Sequence, residues 1–206
     1  MTISKLTLTT AAILALSIAG PASAKIATGS NVSDMTVVDS NGITHNLSDF
    51  AGQKVVLEWT NHGCPYVVKH YDTGNMQKTQ KVATVDNDAV WLSIISSAPG
   101  KQGYVSGEKA NELTTSRGAT PTAVVMDAAG EAGRAFAAKT TPHMFIIDEK
   151  QTLVYQGAID DNRSSRASSV AGAKNYVLAA LDDLKSGTDV AVSETAPYGC
   201  SVKYGS

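Results

Sequence analysis

The run Val55-Val56-Leu57-Glu58-Trp59-Thr60, stopped by Asn61-His62-Gly63-Cys64-Pro65, constrains this chain more than any other stretch. Its β-branched and aromatic residues predict a buried strand. Pro65 suits the first position of a helix, where its missing N–H costs nothing. Val67, Val68 and Tyr71 follow as an apolar stripe. A strand that turns directly into a helix needs a sheet with helices packed on it, which points to an α/β domain. The turn between the two carries one of only two cysteines, Cys64.

The rest of the chain repeats the alternation. Met35–Val38 and Ile43–Leu47 flank Asn41-Gly42 and predict a hairpin. Gly74 should interrupt the helix that starts at Pro65, which resumes near Met76. Ala89–Ile95 predicts a second buried strand, and 97–104 a loop rich in Gly, Ser and Pro. Glu108–Arg117 predicts a helix stopped by Gly118, Thr122–Met126 a strand, and Glu131–Ala138 a short helix. Met144–Asp148 and Leu153–Gln156 predict two strands joined by a polar turn. Val170–Lys185 predicts the last helix, with Val177, Leu181 and Leu184 on one face and Gly187 as its stop. A closing strand, strand, helix order suits a mixed sheet.

The first residues read as an address. Lys5, an apolar stretch from Leu6 to Gly20, and Pro21-Ala22-Ser23-Ala24 form the three parts of a secretory signal peptide. The apolar stretch is shorter than the roughly 20 residues a membrane span needs, so cleavage after Ala24 is expected and no span should remain. The expected organisation is a signal peptide at 1–24, a flexible lead-in at 25–34, one domain at 35–187, and a tail at 188–206 that carries Cys200. The protein would be secreted or periplasmic, where disulfides persist. A formal charge of −2 with no long basic run excludes an electrostatic nucleic-acid surface. Hydrophobic residues at 43% are enough for a core. Two cysteines exclude a disulfide-dense scaffold and any four-cysteine metal site.

The chemistry converges on Cys64. Free amides and the positive dipole end of a helix favour thiolate over thiol. Thr141-Pro142 stands directly before a strand, and a cis bond there would leave backbone groups free to pair with an extended substrate or a mixed-disulfide partner. Cys200 has two readings: a thiol that attacks oxidised Cys64, or a static disulfide pinning the tail, worth about 4–5 kcal/mol on the chain-entropy model. His62 and His143 flank the two motifs. They are read foremost as solvated loop residues, with His143 as a possible acid or base and a Cys64–His62–His143 soft-metal site as the remoter alternatives. Thr60 and Asn61 could hydrogen-bond a peroxide or a thiolate. Tyr66 could wall the site, Trp59 reads as packing, and His70 as a surface residue.

Together these motifs resemble the thioredoxin fold over roughly residues 30–187. More narrowly, Glu58-Trp59-Thr60-Asn61-His62-Gly63-Cys64-Pro65-Tyr66-Val67, Thr141-Pro142-His143-Met144-Phe145-Ile146-Ile147-Asp148 and Pro197-Tyr198-Gly199-Cys200-Ser201-Val202-Lys203-Tyr204 are similar to the AhpC/TSA (redoxin) family, in its peroxiredoxin-like branch. The resemblance implies a central mixed sheet flanked by helices with an N-terminal β-hairpin extension, and an antioxidant thiol-dependent oxidoreductase without a cofactor. Cys64 would be the nucleophile and Cys200 the resolving thiol. Thr60, Asn61, Pro65, Thr141, Pro142 and His143 would line the substrate groove. The partners would be a small hydroperoxide or a protein disulfide, and an external thiol reductant. The chain also departs from the family. Val67 replaces the second cysteine of Cys-x-x-Cys. Leu57 and Asn61 replace the Pro and Thr/Ser of the peroxiredoxin motif, and no Arg precedes the Phe-Ile-Ile-Asp strand. Two other readings stay open: thiol–disulfide exchange without peroxidase activity, and a non-enzymatic module that is disulfide-pinned or metal-binding.

Overall fold

The computed structural model describes residues 25–205, and the expected signal peptide lies outside them. In chain order the described elements are β1 (Thr36–Val38), β2 (Thr44–Asn46), β3 (Val55–Trp59), α1 (Pro65–Asp72), α2 (Asn75–Lys81), β4 (Val90–Ile95), α3 (Gly107–Ser116), β5 (Ala123–Met126), α4 (Glu131–Ala135), β6 (Thr140–Thr141), β7 (His143–Ile147), β8 (Leu153–Gly157), α5 (Tyr176–Lys185) and β9 (Cys200–Ser201). Five strands form one mixed sheet in the order β5-β4-β3-β7-β8. β3 lies parallel to β4 and antiparallel to β7. This is the thioredoxin-like α/β architecture, with β1 and β2 as an N-terminal hairpin.

The apolar strand runs have a direct physical cause. Every residue of β3, β4 and β7 is buried, because both faces of the sheet centre are covered. Edge strand β8 instead alternates buried and half-buried residues. On one face Val56, Trp91, Met144 and Ile146 pack against Val67 and Tyr71 of α1 and Val177 and Leu181 of α5. On the other, Leu57, Trp59, Ile94, Phe145 and Ile147 pack with Phe136. Cys64 belongs to the first face. Among the described residues no helix is long and apolar enough to cross a membrane.

Gly74, left-handed at φ 72°, separates α1 from α2 as its sequence position predicts. Other expectations shift. The last helix begins at Tyr176, not Val170: Gly172 turns left-handed at φ 78°, and the Asn175 side chain caps the helix by accepting from the Leu178 amide at 3.0 Å. The helix expected up to Ala138 stops at Ala135, ahead of Ala137 at φ 51°. The 25–34 segment, read as flexible, is tied to the domain: the Ile26 amide donates to Ala135 O at 2.8 Å, the Gly29 amide to Leu153 O at 2.8 Å, and Val32 is buried. The C-terminal tail has no periodicity, yet β9 pairs with β6, and the Ala98 amide donates to Lys203 O at 2.9 Å.

Candidate functional site

The turn before α1 builds itself from short-range bonds. Asn61 Oδ1 accepts from the Gly63 amide at 3.0 Å, and Asn61 O accepts from the Cys64 amide at 3.0 Å. This side-chain-to-backbone turn is why Asn suits the position. Asn61 Nδ2 donates to Gln102 Oε1 at 2.7 Å, tying the turn to the 97–104 loop. Gly103 lies so close to Asn61 that a Cβ there would stand 2.5 Å from the amide nitrogen. Cys64 is the N-cap of α1, with Pro65 behind it, and its carbonyl accepts from the Val67 and Val68 amides at 2.9 Å each.

Cys64 Sγ lies 2.7 Å from Cys200 Sγ and 3.0 Å from Thr141 O, and both cysteines are free thiols. The second sulfur arrives from 136 positions away because β9 pairs antiparallel with β6, with Cys200 opposite Thr141 and Ser201 opposite Thr140. The Thr141–Pro142 peptide is cis. The strand edge beside it is therefore occupied by the chain's own tail. Gly199, at φ 134°, permits the approach, since a Cβ there would overlap the Thr141 carbonyl.

The two thiols titrate in opposite directions. Burial pushes Cys64 up, but hydrogen bonding, foremost from Cys200 and also from the Val67 and Cys200 amides, outweighs it, so the thiol lies below its ordinary range. Cys200 is pushed up to about 11 by burial, by its hydrogen bond to Cys64 and by the charge of Cys64, against a smaller pull from Lys203. Cys64 therefore ionises first, and Cys200 keeps its proton.

The other expected site residues divide. Asn61, Pro65, Thr141 and Pro142 gather at the sulfur pair. Thr60 is buried and lines a cavity of about 30 Å³ with His62, Tyr71 and Arg117. His143 is buried rather than solvated. Its ring packs 4.4 Å from Phe145, on the sheet face opposite that of Cys64, and its Nδ1 accepts from the Lys139 amide at 3.2 Å. Burial, with Lys139, holds His143 down at about 3. His62 is also pushed down, by burial and by the Arg117 and Lys109 charges. Among the described residues no group of three His, Cys, Asp or Glu is placed to hold a metal ion, so Cys64, His62 and His143 do not form the metal cluster their spacing allowed.

Some neighbours carry a weak sequence signal or none. Arg117, from the end of α3, donates to His62 O at 2.8 Å and lies over the Tyr71 ring at 4.8 Å. Glu58 is fully buried, and it accepts from Tyr71 Oη at 2.9 Å, Ser93 Oγ at 2.9 Å and Trp91 Nε1 at 3.0 Å, while burial raises its pKa. One charged letter inside an apolar strand run was its signal. His70 is not a surface residue but fully buried. Trp59 is core, in contact with Phe136 and Phe145.

The redoxin family model matches residues 27–175. Among solved structures, an uncharacterized conserved protein from Geobacillus kaustophilus aligns with a TM-score of 0.74 at 22% identity, covering 87% of this chain and 93% of that one. A hypothetical protein from Sinorhizobium meliloti aligns at 0.72 and 21%, covering 89% and 97%. A thioredoxin-like protein from Aeropyrum pernix aligns at 0.50 and 16%, covering 67% and 86%. At these identities the likeness is one of fold. A search of curated proteins returned no match.

Proposed function

The chain belongs to the redoxin family, and from that premise we propose that it is an exported, peroxiredoxin-like thiol-dependent oxidoreductase, with Cys64 as nucleophile and Cys200 as resolving thiol. The observation that carries this reading is the 2.7 Å between the two sulfurs, one of them at a helix N-terminus. The Cys64 thiolate attacks one oxygen of a hydroperoxide. An S–O bond forms, the O–O bond breaks, and the leaving alkoxide or hydroxide takes a proton from water, leaving Cys64 as sulfenic acid. The Cys200 thiolate then attacks the Cys64 sulfur, the S–S bond forms, and hydroxide leaves. An external thiol reduces the disulfide through a mixed disulfide and is itself oxidised. Cys64, Asn61, Pro65, Thr141 and Pro142 shape the site, and no cofactor takes part.

The electrostatics put these steps in order. While Cys64 is a thiolate, its charge and its hydrogen bond hold the proton on Cys200. A neutral sulfenic acid removes the thiolate charge, while burial still raises the thiol and Lys203 still lowers it. Oxidation of Cys64 thus lowers the pKa of the thiol that must attack it. A small hydroperoxide suits this site, because the tail covers Cys64, which is fully buried. A second reading, thiol–disulfide exchange with an exported protein, draws on the Thr140–Thr141 edge, to which a partner strand could bind once the tail swings away. The signal-peptide pattern and the persistence of disulfides outside the cytoplasm support the exported setting.

Peroxide consumption with a thiol reductant tests the reading in wild type, Cys64→Ser and Cys200→Ser. Wild type should turn over, Cys64→Ser should be inert, and Cys200→Ser should accumulate oxidised Cys64. Equal consumption by wild type and Cys64→Ser overturns it. Reduction of a protein disulfide without peroxide consumption favours the exchange reading.

A further inference from the structure

Sulfenate resolution requires Cys200 to be at Cys64 when the sulfenic acid forms, and downstream of Cys200 the tail is held by the β6–β9 pair, by the Val202 amide donating to Lys139 O at 3.0 Å and by the Ala98 amide donating to Lys203 O at 2.9 Å. A second attachment lies two residues upstream. Tyr198 is 5% exposed, its hydroxyl donates to Asp160 Oδ1, and the Tyr198 hydroxyl oxygen is also 3.1 Å from His70 Nε2. His70 is fully buried on α1, the helix whose N-terminus carries Cys64, and its Nδ1 is 2.8 Å from Asn75 Nδ2. Asp160 is 2% exposed. Lys69 Nζ lies 5.0 Å from the centre of the Tyr198 ring, and the Tyr66 ring packs 5.9 Å from it. Among the described residues none of these side chains hydrogen-bonds to the Cys64 sulfur, which has Thr141 O and Cys200 Sγ as partners. Their common effect is to bolt the segment before Cys200 onto the nucleophile's own helix through buried hydrogen bonds, which are costly to leave unmade.

We propose that Tyr198, held by Asp160 and His70, is a latch that positions Cys200 against Cys64 and sets how fast the oxidised nucleophile is resolved. Tyr198 is a positioning residue and takes no part in attack on the oxidant. The proposal rests on the reading of Cys64 and Cys200 as a redox pair. When the latch is intact, disulfide formation outruns a second oxidation of Cys64. When it is weakened, the tail spends time away and Cys64 is left open to a second hydroperoxide, which would carry it to sulfinic acid.

The test is quenched-flow oxidation of the reduced protein by hydrogen peroxide, read by intact mass after thiol alkylation and sulfenate trapping with a cyclic dione. Wild type, Tyr198→Phe, Asp160→Asn and Cys200→Ser are compared. Tyr198→Phe keeps the ring and removes only the hydroxyl, and Asp160→Asn reports on the same latch should the first variant fold poorly. Loss of the Cys64 thiol should keep its wild-type rate in both. Disulfide formation should slow by roughly tenfold or more, the scale of a lost hydrogen bond to a charged group, with trapped sulfenate and sulfinic acid rising in step. Unchanged disulfide formation in both variants overturns the latch while leaving the redox pair intact. Equal slowing of both steps also overturns it, because the variants would then be disturbing the nucleophile's helix. Absence of sulfenate and disulfide in wild type would instead remove the pair on which the latch depends.

Discussion

At Cys64 burial and hydrogen bonding act in opposite senses, and bonding prevails, so its thiolate forms below the ordinary thiol range while Cys200 holds its proton up to about 11. The sign of the coupling follows from charge alone: removing the neighbouring thiolate stabilises the ionised form of Cys200 and must lower its pKa. Alkylation of the reduced protein across a pH series, read by mass, should label Cys64 at lower pH than Cys200, and Cys64→Ser should shift Cys200 labelling to lower pH. Identical profiles for Cys200 in both proteins would show that the sulfurs do not interact in solution. The Cys64–Pro65 turn was legible in the sequence because its determinants lie within five residues: Asn61 makes the turn, Gly63 leaves room and Pro65 starts the helix. His70 and His143 were not legible. A histidine carries no mark of which segment will cover it, and here the 160–175 connection and the pairing of β7 decide.

Elements were readable where one residue type both ends and begins them. Gly74 splits α1 from α2 through a left-handed φ of 72°, as its position in the pattern suggested. The start of α5 is not legible in the sequence, because the apolar stripe of Val177 and Leu181 extends backwards to Val170 without a break in period. The structure shows the cap instead: Asn175 Oδ1 accepts from the Leu178 amide and Nδ2 donates to Thr79 Oγ1 at 2.9 Å, joining α5 to α2. Asn175→Ala should therefore cost about 1–2 kcal/mol, measured as a lower midpoint in urea unfolding with an unchanged slope. Gln at the same position should not restore the cap, since its carbonyl lies one methylene too far from the Leu178 amide. The short strand β9 has no pattern of its own. Two residues cannot display a period of two, so only its partner β6 identifies it.

Across the whole molecule, the last residues return to the middle of the chain, where β9 pairs with β6 just ahead of β7. A bond between Cys64 and Cys200 closes a loop of 136 positions. On the chain-entropy model such a closure stabilises the fold by about 5 kcal/mol. Oxidised wild type should unfold at clearly higher denaturant than the reduced protein, and Cys200→Ser should show no such difference between oxidising and reducing conditions. An equal midpoint for oxidised and reduced wild type would mean that the pair does not close. By itself the sequence determined the α/β alternation, the nucleophile-bearing turn and the family resemblance, because periodicity, turn chemistry and helix starts act between residues near one another in the chain. Only the tertiary structure decided that Cys200 stands at Cys64, that Tyr198, Asp160 and His70 share one buried network, and that His143 faces away from the thiol. Those facts depend on which distant segments are brought together by burial, and hydrophobic burial is non-directional: it says that a residue will be covered, not by what.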